Sequence, residues 1–233
     1  DDFVRRAAQK PREGAGDREK ALRTKEVTGD SVLPFETTRL IHSQSIEWAN
    51  ELVDNRRMGP FLQELLEAGL NPDDLYLLIR ADMPPERGGR LIYDEQRGSF
   101  VATEGFDKHP AYWTTWLGAA TYALRAGMHL PSASQWKEVY QAHDMPDGTV
   151  ANHTYAADDT IATGEVLDTG LPSDFFGNVK IWCQEWSDTA RQSKALAGIS
   201  WKHYLHENYD LITEKPYLTN SRVIGSRLVT CED

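Results

Sequence analysis

The chain has 233 residues, with 36 Asp and Glu against 25 Lys and Arg, a net charge of −11. That balance argues against a nucleic-acid partner and against an anionic membrane surface, because both need a basic face. Hydrophobic residues make up 40%, enough for the core of one domain, or one domain with an appendage, and no run is long and apolar enough to span a bilayer.

Residues 1 to 25 carry eight Lys or Arg and five Asp or Glu, with little that is apolar besides Ala. This reads as a polar helix or frayed tail, bounded at about residue 30, rather than as a basic recognition arm. No secretory signal pattern heads the chain, and it opens at Asp1 rather than Met, which leaves room for an upstream segment. Ser43 can cap a helix with Ile46, Ala49 and Val53 on one face. Pro60 to Leu70 predicts a short amphipathic helix closed by Gly69. Asn71-Pro72-Asp73-Asp74 predicts another helix start, in which Asn caps, Pro fits the first turn and the acids suit the dipole. Pro84-Pro85 and Gly88-Gly89 mark turns.

Pro110 keeps its segment extended, so Thr114 or Thr115 is placed to cap the helix that follows. That helix shows Trp116, Ala119, Ala120, Ala123 and Ala126 on one face, and Gly127 ends it. Ser132 followed by Gln135 is a capping-box pattern, which starts a second helix and carries Trp136 inward. From Asp144 to Pro172 the chain is rich in Asp, Gly, Thr and Asn without periodicity, and reads as loop. Internal repeats and low-complexity tracts are absent from the sequence. Cys183 and Cys231 are the only cysteines. One bridge between them is open, but two reduced thiols in a reducing, cytoplasmic compartment are the commoner pattern.

Five segments, in order, resemble the formylglycine-generating enzyme (sulfatase-modifying factor) family. Pro34 to Leu52 resembles its opening strand and first helix. His109-Pro110, Trp116, Ala119, Tyr122, Gly127, Leu130-Pro131 and Trp136 match its central stretch. Gly177-Asn178-Val179 with Trp182 is similar to its Gly-Asn-Val strand, Gly198 with Ser200-Trp201 to its Gly-Gly-Ser-Trp segment, and Ile224 to Val229 to its closing strand. The resemblance covers roughly Val32 to Val229. It implies an α+β, C-type-lectin-like fold over residues 31–233, with a small twisted antiparallel sheet, flanking helices and long loops. The predicted helices at about 58–80 would then be an insert.

The same resemblance puts the family's chemistry in question. Members that oxidise cysteine to formylglycine hold copper with two thiolates just after the Gly-Ser-Trp segment, and Cu(I) favours such soft ligands. Gly198 to Asp210 contains no Cys; His203 and Asn208 stand about where the two would be. His129, Ile181, Lys180, Ala197 and Ser226 also depart from the family pattern. Copper-dependent formylglycine generation is therefore not expected. A rebuilt metal site would need His203 and His206 plus Glu207, Asp210 or His153, and would support a metal-dependent oxidoreductase. The iron route of ergothioneine-synthase relatives needs three His on a separate helical domain; before Pro110 only His42 and His109 occur. Asn152, Asp158, Asp159 and Asp168 could hold a structural Ca²⁺, since Ca²⁺ takes hard oxygens from loops, and a solvated acidic loop is the equal alternative. No Gly-x-Ser-x-Gly nucleophile motif is present, and Cys183, flanked by Trp, is by default an inert buried thiol.

What remains is a surface. Trp201, His203, Tyr204, His206, Asn208, Tyr209, Asp210, Tyr217 and Asn220 are the residue types of adaptable binding sites. Variable proteins of diversity-generating retroelements share this fold and show such residues in their C-terminal stretch, so the composition resembles theirs. The expected function is non-catalytic binding of a ligand, most readily a protein and otherwise a small molecule, at this C-terminal face. An oxidoreductase with a rebuilt His site and a structural subunit docking through Met58 to Ile79 are the alternatives.

Overall fold

A computed structural model describes residues 36–39, 46–72, 89–144, 151–164, 167, 170–172, 174–204 and 210–230. Their elements run β1 (Thr37–Thr38), β2 (Trp48–Ala49), α1 (Asn55–Glu67), β3 (Leu91–Asp94), β4 (Ser99–Ala102), α2 (Trp116–Arg125), α3 (Ala133–Ala142), β5 (Lys180–Trp186), β6 (Ser193–Ala197), β7 (Ile212–Pro216) and β8 (Ile224–Gly225).

The local signals around α2 and α3 form as expected. Thr115 caps α2, its hydroxyl accepting the Gly118 N–H at 3.1 Å. Gly127, at φ 67°, takes the left-handed step after it, and the Met128 and Gly127 N–H groups return to the Ala123 and Leu124 carbonyls. This is a Schellman closure, favoured where the residue past the cap is glycine. Ser132 and Gln135 form the full capping box of α3, with bonds of 3.0 and 2.7 Å. Gly69, at φ 80°, closes α1 in the same way, with Leu70 N–H on the Leu65 carbonyl.

The start of α1 differs from expectation. Asp54 caps it by accepting the Arg57 N–H at 3.0 Å, while its second oxygen holds Arg56 and Arg57 at 2.6 and 2.7 Å. This cap extends the helix back before Pro60, which then sits inside it at an exposed position. The missing N–H there deprives a single carbonyl of its bond. The expected helix over Ile46, Ala49 and Val53 is not formed. Trp48–Ala49 is a strand paired with β1, and the Ala49 and Val53 N–H groups each donate, at 2.9 Å, to Leu228 and Ser226. The closing segment claims the bonds that a helix would have used.

The main sheet has the order β7-β6-β5-β8. It is mixed rather than wholly antiparallel: β5 pairs antiparallel with β6 but parallel with β8. The strand alternation divides the core. Trp182 and Leu196 face α1 and α2 in one cluster; Ile181, Cys183, Ala195 and Ala197 face Trp48, Trp136, Phe175 and Phe176 in another. Trp116 Nε1 donates to the Cys183 carbonyl and Trp182 Nε1 to the Thr114 carbonyl, both at 2.9 Å, which staples the start of α2 to β5. Cys183 is a free, buried thiol, and burial pushes its pKa well up. Cys231, Ser43, the 1–30 tail, Asp73-Asp74 and the turn at Pro84-Pro85 lie outside the described residues. Among the described residues, no helix is long and apolar enough to cross a membrane.

Candidate functional site

The segment after β6 leaves the sheet through Gly198, at φ 91°, and enters a turn in which the His203 N–H donates to the Ser200 carbonyl at 3.0 Å. Trp201 inside that turn is only 2% exposed, so it lies beneath the surface. The loop 152–155 comes to cover it. Thr154 and Tyr155 N–H groups donate to the His203 and Trp201 carbonyls at 2.9 and 2.8 Å, and the Tyr155 ring stands edge-on to Trp201 at 5.9 Å. Tyr155 also meets Tyr204 at 5.2 Å. The Arg222 guanidinium lies 4.6 Å from the Trp201 ring centroid. The outcome is a raised aromatic edge, Tyr155 42% and Tyr204 62% exposed, seated on a buried indole.

The seat is held by an amide network. Asn178, at φ 64°, receives the Trp201 N–H on its carbonyl, and its side chain bridges the Ile161 N–H and carbonyl, each at 3.0 Å. Asn152 Nδ2 donates to the Asn178 side chain at 3.2 Å and to the Asp159 carbonyl at 3.1 Å. Hydrogen bonds of this number fix a loop that has no regular structure.

His203 is half-buried, and its Nδ1 is engaged by Ser200 Oγ at 2.5 Å. Burial lowers its pKa, and the nearby Lys180 and Lys202 ammonium groups lower it further. Two cations beside the ring oppose a metal ion, and Nδ1 is engaged by the Ser200 hydroxyl. Ser200 is fully buried, so it positions His203 rather than presenting a nucleophile. Lys180, with Nζ on Thr213 Oγ1 at 3.0 Å, is pushed by burial down to about 8. His153 is buried and bonds Thr154 Oγ1 at 2.8 Å. No group of three or more His, Cys, Asp or Glu that could hold a metal occurs among the described residues. Of the residues named for Ca²⁺, Asp159 pairs with Arg90 Nη2 at 2.5 Å, Asn152 gives its amide nitrogen to the Asp159 carbonyl and the Asn178 side chain, and Asp168 lies outside the described residues.

Of the nine residues read as a surface, six are described. His203 and Tyr204 border the raised edge; Trp201 supports it. Asp210 is exposed just before β7, and Tyr217 lies just after it. A five-residue strand spans roughly 15 Å, and Tyr217 packs edge-to-face on Trp186 at 5.5 Å. Asn220 is half-buried beyond that turn; His206, Asn208 and Tyr209 lie outside the described residues. Tyr155 and Arg222 were missed by sequence reading. The run Asn152-His153-Thr154-Tyr155 has the same residue types as the C-terminal segment, a signal hidden inside a long loop.

The architecture is that of a mixed α+β, C-type-lectin-like fold, which it shares with solved structures. CarF matches with a TM-score of 0.54 and 15% identity over 86% of this chain and 96% of its own. PvdO from Pseudomonas aeruginosa matches at 0.51 and 13%, over 84% and 92%, and Treponema denticola variable protein 1 at 0.50 and 11%, over 86% and 92%. At these identities the likeness is one of fold. In sequence, 138 residues, 54% of the chain, are 31% identical to serine/threonine-protein kinase Pkn1 of Chlamydia trachomatis serovar L2 and 28% identical to pkn1 of Chlamydia pneumoniae. The match covers 21% of each, so the chain spans about a fifth of the curated relatives it matches. No family model matches. The chain has neither the His-Arg-Asp nor the Asp-Phe-Gly tripeptide of a kinase.

Proposed function

We propose that this chain is a non-catalytic ligand-binding domain, of the formylglycine-generating-enzyme type, that holds a protein partner on the surface around Tyr155 and Tyr204. The observation that carries this reading is the pair of exposed tyrosines in ring contact above the buried Trp201. Such rings offer large contact area at little entropic cost, on a seat already ordered before binding. Lys202, His203 and Arg222 supply polar groups beside them; Asp210, Tyr217 and Asn220 belong to the far end of the same segment, and His206, Asn208 and Tyr209, read from the sequence as part of this surface, lie outside the described residues. The sequence resemblance and the fold likeness to a variable protein support a surface whose side chains change while its frame persists. Diversification by a retroelement is the finer form of the proposal. Similarity to part of two kinases supports a role as a binding module within larger chains.

The test is partner capture with immobilised wild type and a Tyr155→Ala/Tyr204→Ala variant, both checked by thermal unfolding. The expected result is a protein retained by the wild type and lost by a variant whose melting temperature is nearly unchanged. Equal capture by both proteins refutes the surface, and a large fall in melting temperature assigns the tyrosines to the core. Metal analysis of protein purified without chelators addresses the oxidoreductase alternative: one equivalent of Cu, Fe or Zn that disappears in His203→Ala would establish it and refute purely binding function.

A further inference from the structure

A second site lies among residues that the tyrosine surface does not use. Between α2 and the β5–β6 strands is a cleft of about 330 Å³, with Trp116, Ala120, Leu124, Met128 and Trp186 among its walls, and Lys194. This volume is at the small end of those that hold small molecules. Lys194 is 3% exposed. Its Nζ lies 3.8 Å from the ring centroids of both Trp116 and Trp186 and donates to the Gln184 carbonyl at 2.6 Å. The acid that also lines the cleft, Glu185, acts on Lys194 through its field while both its carboxylate oxygens accept from the Ala133 N–H at the start of α3, at 2.9 and 3.0 Å. Among the described residues no carboxylate forms an ion pair with Lys194.

A buried ammonium solvated by one carbonyl and two ring faces keeps most of its need for a counter-charge. We propose that the cleft binds a small organic acid, an aryl or short acyl carboxylate whose anionic end meets Lys194 and whose flat body lies on the apolar side chains of α2. A cationic ligand would face Lys194 directly, and a neutral one would leave the ammonium with only the more distant field of Glu185. Burial pushes the Lys194 ammonium down to about 8, so it remains charged at neutral pH.

Phenylacetate, phenylacetamide and phenethylammonium, titrated separately against the whole chain and read by tryptophan fluorescence, test the assignment. Saturable binding of phenylacetate, about tenfold or more tighter than of the amide, is expected, because a charge-assisted bond is roughly twice as strong as a neutral one. Lys194→Met should erase that preference. Leu124→Trp, which fills the cleft from the α2 side, should abolish phenylacetate binding and leave the fold intact. Equal binding of acid and amide by the wild type, or no saturable response to phenylacetate, overturns the proposal without recourse to any variant. Retained discrimination in a folded Lys194→Met protein overturns it as well.

Discussion

Arg227 and Asp174 form an ion pair at 2.6 Å with both side chains fully buried, and the same guanidinium reaches the Ala49 carbonyl at 2.5 Å. One side chain from the closing segment therefore ties β2 to the loop that carries Phe175 and Phe176. Removing one partner of such a pair leaves an uncompensated buried charge. Arg227→Met should cost about 3–5 kcal/mol by urea denaturation. Arg227→Lys should recover little of it, since an ammonium cannot reproduce the forked contacts to the carboxylate and the carbonyl.

Ser132 is the clearest local determinant of α3. Ser132→Ala removes the acceptor for the Gln135 N–H and should cost about 1 kcal/mol, with Ser132→Thr close to wild type. The check is the shift in urea midpoint at constant slope.

Gly177 is required by close approach rather than by its backbone angle. A Cβ there would overlap the Ala151 carbonyl oxygen. The adjoining bond, Asn178 N–H to the Asn152 carbonyl at 3.0 Å, holds the loop that presents Tyr155. Gly177→Ala should therefore destabilise by about 3 kcal/mol or more and loosen Tyr155, seen as faster amide exchange over residues 152–155.

The depressed Lys194 gives a pH dependence of defined sign. Folded, this lysine releases its proton near pH 8, whereas unfolded it holds it to about 10.4. Between those values the unfolded chain binds more protons, so stability from this group rises with pH. Below pH 8 both states are charged and the contribution is constant. Other groups titrate in the same window, so the quantity to measure is the stability difference between wild type and Lys194→Met. It should shift in favour of wild type from pH 8 to 10 and stay flat from pH 6 to 7.5. A flat difference throughout would mean that the indole faces and Glu185 hold the ammonium at its ordinary value.

The caps at Thr115 and Ser132 and the closures at Gly69 and Gly127 were legible because each is encoded within a few contiguous residues, where side-chain chemistry and backbone angle act directly. The helix expected over Ile46 to Val53 shows where that logic stops. Its apolar spacing suited a helix, but the closing segment, far along the chain, took its backbone bonds. The sheet was expected to be antiparallel, yet the pairing of β8 with β5 is parallel and depends on how the chain returns. Trp201 shared the aromatic composition of its segment and still became the buried seat, because the loop bearing Tyr155 folds over it. A single lysine in Ser193-Lys194-Ala195-Leu196-Ala197 sits on the same strand face as Leu196, a signal that a charge enters the core. That Trp116 and Trp186 receive it was decided only by the tertiary structure. By itself the sequence determined the acidic surface, the capped helices and the absence of paired thiolates after Ser200-Trp201. Which side chains meet at a site was decided by sheet closure, since contacts between distant segments depend on register and long-range backbone bonds that no local pattern carries.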